Sequence, residues 1–219
     1  MTMNCGLMPV LLVLGCAYTA RAETTVLYDN TTTDTGDTVL YSTGPYTALG
    51  DQIHLLSPGL AGQAEVQMFN NGNAGTFDAE LDFFQVGGPV GSQLGSSTLT
   101  GIASVGADVI DMTFDLSTML NVPQDIIFTV SISNPTPGMD LGVDMFDPPA
   151  VGSSDNTFMI AGSGGTYSQL PVSGENVYFQ LSGTASVSAP EPSCLALLGT
   201  CVPGMWFWRW LTARRRNSP

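Results

Sequence analysis

Lysine is absent from the chain, and its five arginines all stand near the ends: Arg21, Arg209, Arg214, Arg215 and Arg216. The nineteen acids run from Glu23 to Glu191, so the stretch between the ends is a polyanion with no Lys or Arg of its own. Such a stretch cannot neutralise a phosphate backbone, which excludes nucleic acid as a partner. It also lacks a cationic clamp for anionic substrates and developing oxyanions. The same field draws Ca²⁺ or Mg²⁺, repels anionic polymers unless metal ions bridge the two, and favours solubility. Cysteine is missing between Cys16 and Cys194. Disulfides, thiolate metal sites and cysteine nucleophiles are thereby excluded from the body, whose stability must come from its core. Histidine occurs once, as His54, so a hydrolytic triad would have to rest on that residue alone, and no Gly-x-Ser-x-Gly elbow accompanies it. His54 reads as a strand residue, partly buried or at a sheet surface.

Apolar residues make up 43% of the chain and charged ones 11%, a balance that predicts a packed fold rather than disorder. Nothing in the body reads as a long helix. Phe77, Ala79, Leu81 and Phe83 alternate with Asp78, Glu80 and Asp82, the period-two signature of a strand with one buried face. Ile110, Met112, Phe114 and Leu116 alternate with Asp111, Thr113 and Asp115. Ile126, Phe128, Val130 and Ile132 form a third such strand, and Val177, Phe179 and Leu181 a fourth. Weaker candidates are Thr25 to Tyr28, Thr38 to Tyr41, Gln52 to Leu56, Ala64 to Phe69, Leu141 to Phe146 and Thr157 to Ala161. About ten short strands at fairly even spacing predict an all-β, antiparallel β-sandwich, jelly-roll or immunoglobulin-like. Gly- and Pro-rich stretches at 86–90, 134–138 and 162–165 are the expected mobile loops.

The ends have their own logic. Leu7 to Tyr18 is an apolar run too short to span a bilayer comfortably, and it leads into Ala20, Arg21 and Ala22, a small-x-small cleavage site. Residues 1–22 therefore read as a signal peptide, with signal peptidase as a processing partner. The run from Val13 to Cys16 resembles a lipobox, which makes lipidation at Cys16 the rival reading. At the other end Pro190, Glu191, Pro192 and Ser193 precede an apolar run from Cys194 to Leu211, and Arg214, Arg215 and Arg216 follow. Two prolines around an acid hold the chain extended, as a protease recognition segment requires. Eighteen apolar-run residues would span ~27 Å as a helix, close to the ~30 Å hydrocarbon core. The arginine cluster then stays cytoplasmic.

In this order of features, with Ala189 to Ser193 and Ala196-Leu197-Leu198-Gly199, the tail resembles the PEP-CTERM sorting signal of exopolysaccharide-producing bacteria. Pro203, the cluster Trp206 to Trp208 and Arg209 depart from that pattern by interrupting the helix. The resemblance implies recognition by exosortase, a transient inner-membrane anchor over 190–216, and transfer of the body, 23–189, to the cell envelope or extracellular matrix. The body is only loosely similar to the sandwich ectodomains that accompany such tails.

Inside the body, Asp29, Asp34 and Asp37 gather oxygen donors around a turn, and Asp140, Asp144 and Asp147 form a second group, so Ca²⁺ is the candidate ion. The alternative is ordinary turn chemistry. Asp78, Glu80 and Asp82 leave a carboxylate-pair glycosidase open, with a solvated strand face as the other reading. Tyr28, Tyr41, Tyr46, Tyr167 and Tyr178 would suit a carbohydrate-binding module for exopolysaccharide if they are exposed. The expectation is a non-enzymatic structural or adhesive ectodomain, with carbohydrate binding second and glycoside hydrolysis third.

Overall fold

The computed structural model describes residues 24–186, apart from 45, 88–91, 163–166 and 172–174. Among the described residues the chain forms thirteen strands: β1 (Thr25–Asn30), β2 (Asp34–Leu40), β3 (Tyr46–His54), β4 (Gly59–Asn70), β5 (Gly75–Gln85), β6 (Gln93–Ser104), β7 (Asp108–Val122), β8 (Asp125–Ser133), β9 (Leu141–Phe146), β10 (Ser153–Gly162), β11 (Tyr167–Pro171), β12 (Asn176–Val177) and β13 (Phe179–Ala185). One 3-10 turn, Tyr41–Thr43, separates β2 from β3. Among the described residues no helix is long and apolar enough to cross a membrane.

The strands form two antiparallel sheets that stack as a β-sandwich. One runs β11-β10-β3-β8-β5-β6. The other runs β1-β13-β4-β9-β12, with β7 on β4 and β2 on β9. In this second sheet β4 is the organiser: β7 pairs with its whole length, while β13 and then β9 pair with successive parts of it. The first and last strands lie side by side, Thr25 opposite Gly183, so the two ends of the described chain emerge together.

Period-two alternation explains the core. Phe77, Ala79, Leu81 and Phe83 are buried on β5, as are Ile110, Met112, Phe114 and Leu116 on β7 and Ile126, Phe128 and Val130 on β8. Val177, Phe179 and Leu181 complete the set from β12 and β13. Phe179 is the hub: its ring stacks on Phe128 of the opposite sheet at 3.8 Å and 12°, with Tyr28 at 6.1 Å and Phe83 at 6.2 Å. Each fully buried ring of this kind contributes about 1.5–3 kcal/mol of burial.

The strand count exceeds the expected ten because β6 and β11 carry no clean alternation and because Tyr178 divides the expected strand over Val177, Phe179 and Leu181 into β12 and β13. β6 is rich in Gly, Ser and Thr and lies at the edge of its sheet, so its inward face is only half-buried, with Leu94, Leu99 and Ile102 packed against the core. The Pro-rich loop at 134–138 is tied down rather than free. Thr136 donates its backbone N–H and its hydroxyl to Thr76 O, and Thr76 N–H donates back to the Thr136 hydroxyl. The other two loops expected to be mobile lie largely outside the described residues.

Candidate functional site

The most developed polar constellation sits where β10 bulges away from β3. His54 ends β3, directly opposite Asp125 on β8 and Ser153 on β10. That register brings His54 Nδ1 to 2.6 Å from Asp125 Oδ1. Gly152, at φ +78 and packed so closely that a Cβ would meet His54 O at 2.5 Å, delivers Ser153 to its place beside the histidine. Beyond it, the pairing of β10 slips between Ser154 and Phe158. Within the slip Asp155 accepts from Thr157 N–H at 3.0 Å and from Gln52 Nε2 at 2.6 Å. Bulges of this sort re-aim side chains beside functional sites. Here the result is an open cleft of about 350 Å³ lined by Gln52, Ile53, His54, Asp125, Ser153, Ser154 and Asp155.

Behind the cleft lies a buried carboxylate. Asp51 occupies an inward position between Leu49 and Ile53 and is 1% exposed. It accepts from Gln52 N–H at 2.7 Å and from the Ser154 hydroxyl at 3.2 and 3.3 Å, and Val177 N–H of the opposite sheet also donates to it. Burial pushes its pKa well above the ordinary range, with the Asp155 charge adding to the shift, and the three donors oppose it without cancelling it. Chemically, the cleft offers an imidazole oriented by a carboxylate, one hydroxyl beside it, and a second hydroxyl, Ser154, turned inward to Asp51. No positive charge other than a protonated His54 lines it, so it suits neutral or cationic groups.

Sequence reasoning treated His54 as unsupported. Asp125 lies 71 positions away and arrives only through the β3–β8 register, which no local pattern encodes. Asp51 did leave a signal, an acid in the apolar phase of Leu49, Asp51 and Ile53.

The expected calcium ligands do not come together. Asp29 accepts from Thr31 N–H at 3.1 Å and Thr31 Oγ1 at 2.7 Å, and Asp34 from Gly36 N–H at 2.8 Å. These are turn-forming bonds of aspartate to the backbone two residues on. In the second group Asp140 takes the Ser42 hydroxyl at 2.6 Å, Asp144 the Thr38 hydroxyl at 2.8 Å and Asp147 the Asn176 amide at 2.9 Å. Asp37 instead meets Glu175, whose pKa is raised by desolvation, by its hydrogen bond and charge contact with Asp37, and by Asp147. Among the described residues no three His, Cys, Asp or Glu side chains are grouped to hold a metal ion.

The tyrosine platform is also corrected. Tyr28 and Tyr41 are buried in the core, and Tyr41 donates its hydroxyl to Val130 O at 2.7 Å. Tyr46 is half-buried against the core, and Tyr178 packs edge-on to Phe146 at 4.8 Å. Tyr28 takes an inward position of β1 and Tyr41 reaches the core from the 3-10 turn, whereas Tyr178 alternates with the buried Val177 and Phe179 and is only half-buried. The side chain of Tyr167 lies outside the described set.

Asp78, Glu80 and Asp82 do share the outer face of β5. Asp82 is pushed up to about 6 by partial burial and the Glu80 charge, against the Gln93 amide. Asp78 is shifted the other way by the Asn134 amide and Gly101 N–H.

The cleavage residues Ala20 and Ala22, the lipobox cysteine, the motif Pro190 to Ser193 and Arg214 to Arg216 lie outside the described residues. Comparison with protein families, with curated proteins and with solved structures returned no match.

Proposed function

We propose that the chain is an exported protein of the cell envelope or extracellular matrix, whose body is a non-enzymatic structural or adhesive sandwich of the jelly-roll or immunoglobulin-like kind. The observation that carries this reading is the order of the tail: Pro190, Glu191 and Pro192, then the apolar run from Cys194 to Leu211, then Arg214 to Arg216. In this reading signal peptidase cuts after Ala22, the tail anchors the precursor in the inner membrane, and exosortase acts near Pro190 to Ser193. The side-by-side pairing of β1 and β13 supports it, because both processed ends then leave one end of the sandwich and the rest stands away from the membrane.

Mass spectrometry of the envelope and medium fractions tests the proposal. The mature form should end between Ala189 and Ser193, and Glu191→Ala should accumulate the anchored precursor. A mature protein still ending at Pro219 would overturn it. Carbohydrate binding is the second reading, favoured now by the Gln52, Asp125 and Asp155 side chains around the cleft rather than by tyrosines. A glycan array without a single bound polysaccharide removes it.

A further inference from the structure

An ionisable carboxyl buried between two sheets, in a body without Lys or Arg, has no ion-pair partner to compensate its charge. Asp51 is that group. Its environment can be enumerated. On its own strand Gln52 supplies a backbone N–H, and β10 brings the Ser154 hydroxyl together with the Asp155 carboxylate. The second sheet reaches it through Val177 N–H of β12. β1 brings Tyr28, whose buried hydroxyl has no hydrogen-bond partner and whose own pKa is raised by burial and then by Asp51, Asp147 and Asp29. Phe128 is its cross-strand neighbour on β8. The single histidine is on β3 too, but it is exposed on the outer face and held by Asp125.

From this geometry we infer that Asp51 is a proton-operated clasp, which joins β3, the β10 bulge and β12 when protonated and loosens the bulge, and with it the His54 cleft, when ionised. The route for loosening is built in. Ser154 both touches Asp51 and lines the cleft, so displacement of the bulge is the shortest way to bring water to a buried anion. The sign follows from the direction of the shift: a carboxyl raised in the folded state contributes stability that is present below its unfolded pKa and lost as pH rises through the folded one. The clasp is therefore tight in acid and slack towards neutral and alkaline pH. Aspartates in ordinary proteins, ion-paired on the surface, behave in the opposite way.

The test uses the full chain in detergent micelles. Thermal unfolding followed by far-UV circular dichroism across the acid-to-neutral range should show the midpoint falling as pH rises, and Asp51→Asn should flatten that dependence. Amide exchange, corrected for intrinsic rates, should show Ser154 to Thr157 and Val177 losing protection about tenfold or more through the same titration, while the Phe179 amide keeps its own. Ser154→Ala, which removes one donor to the anion, should move the transition to higher pH. A packing role alone would leave the position of that transition unchanged. The clasp is overturned if Asp51→Asn retains the wild-type pH dependence, or if protection of the bulge does not follow the titration. Should Asp51→Asn not fold, carboxyl ¹³C NMR of the wild-type chain decides, and an Asp51 midpoint at or below that of an exposed aspartate refutes the inference.

Discussion

Two parts of the buried interior are built on different principles. Around Phe179 the contact is aromatic and apolar: Phe128, Phe83 and Tyr28 surround one ring, and burial of area does the work. Around Asn30 and Asn70 strand ends are tied by directed polar bonds instead, Asn30 within the second sheet and Asn70 across to Ser104 of β6. Asn30 Nδ2 donates to Phe146 O at 3.0 Å, Val177 O at 3.1 Å and Asn176 O at 3.4 Å. Asn70 uses both ends of its amide, giving to Asn73 O and Ser104 Oγ and accepting from Gly72 N–H and Asp140 N–H. The aromatic part tolerates any arrangement that buries the rings, whereas each asparagine accepts one placement of the strands and loops around it. The hub stabilises by burying area and the amides select which strand ends meet.

Breaking the hub should have the largest effect. Phe179→Ala removes a ring that touches both sheets and should cost about 3–5 kcal/mol, read as a drop in the urea midpoint at nearly constant slope. A loss under about 1 kcal/mol would mean that the sheets do not depend on this ring. Asn30→Ala breaks the polar half and leaves three carbonyls without that donor, at a cost of about 1–3 kcal/mol. Its signature should be local, with early loss of amide protection in β12 and at the end of β9. Uniform destabilisation would show that Asn30 fills space rather than selecting an arrangement.

The same contrast explains what could be read from the sequence. β5, β7 and β8 each present one face to the core, so their apolar residues recur at period two and were legible, although β7 runs on past Leu116 to Val122. β6 pairs only with β5 and is exposed or half-buried along almost all its length, and its half-buried positions include Gly95 and Ser97 beside Leu94, Leu99 and Ile102, so its alternation was too weak to read. At the other extreme β9 is buried at every position, Asp144 included, and showed only as a weak candidate. The polar parts were harder still. Asn30, Asn70 and Asp125 are common turn or surface residues with partners as far as 34 to 147 positions away, and pairing at that range is set by register rather than by any local motif. The tyrosines misled for a physical reason: a phenol can contribute its ring to the core, as Tyr28 does from β1 and Tyr41 from the 3-10 turn.

Moving the comparison to the outer face gives smaller effects of defined sign. Asp82, half-buried and beside Glu80, titrates near 6, so protonation should relieve it and stability should decline as pH rises through about 6. Glu80→Gln removes the like charge, though burial remains the larger cause, so the Asp82 midpoint should fall part of the way towards that of a free aspartate. Carboxyl-detected NMR reads this directly. An unmoved midpoint would show that burial alone sets it.

The smallest effect belongs to Asp78, on the same face of β5 and with the opposite shift. Its carboxylate is exposed, accepts from Asn134 Nδ2 at 2.7 Å and Gly101 N–H at 2.8 Å, and is held below the ordinary aspartate range mainly by the Asn134 amide. A lowered folded-state pKa contributes stability above the unfolded value and loses it as pH falls through the folded one, the reverse of Asp51 and Asp82. Asn134 sits at φ +52, a conformation that asparagine tolerates and alanine resists, so Asn134→Ala would mix backbone strain with loss of the bond. Asn134→Gly keeps the backbone permissive and removes only the amide. It should raise the Asp78 midpoint while leaving Asp82 unchanged, and the melting temperature at neutral pH should hardly move, because an exposed hydrogen bond is screened by water. If the Asp78 midpoint stays low in Asn134→Gly, the Gly101 N–H sustains the anion, and the loop at 134–138 is held by Thr136 and by the bond from Asn73 N–H to Gly138 O.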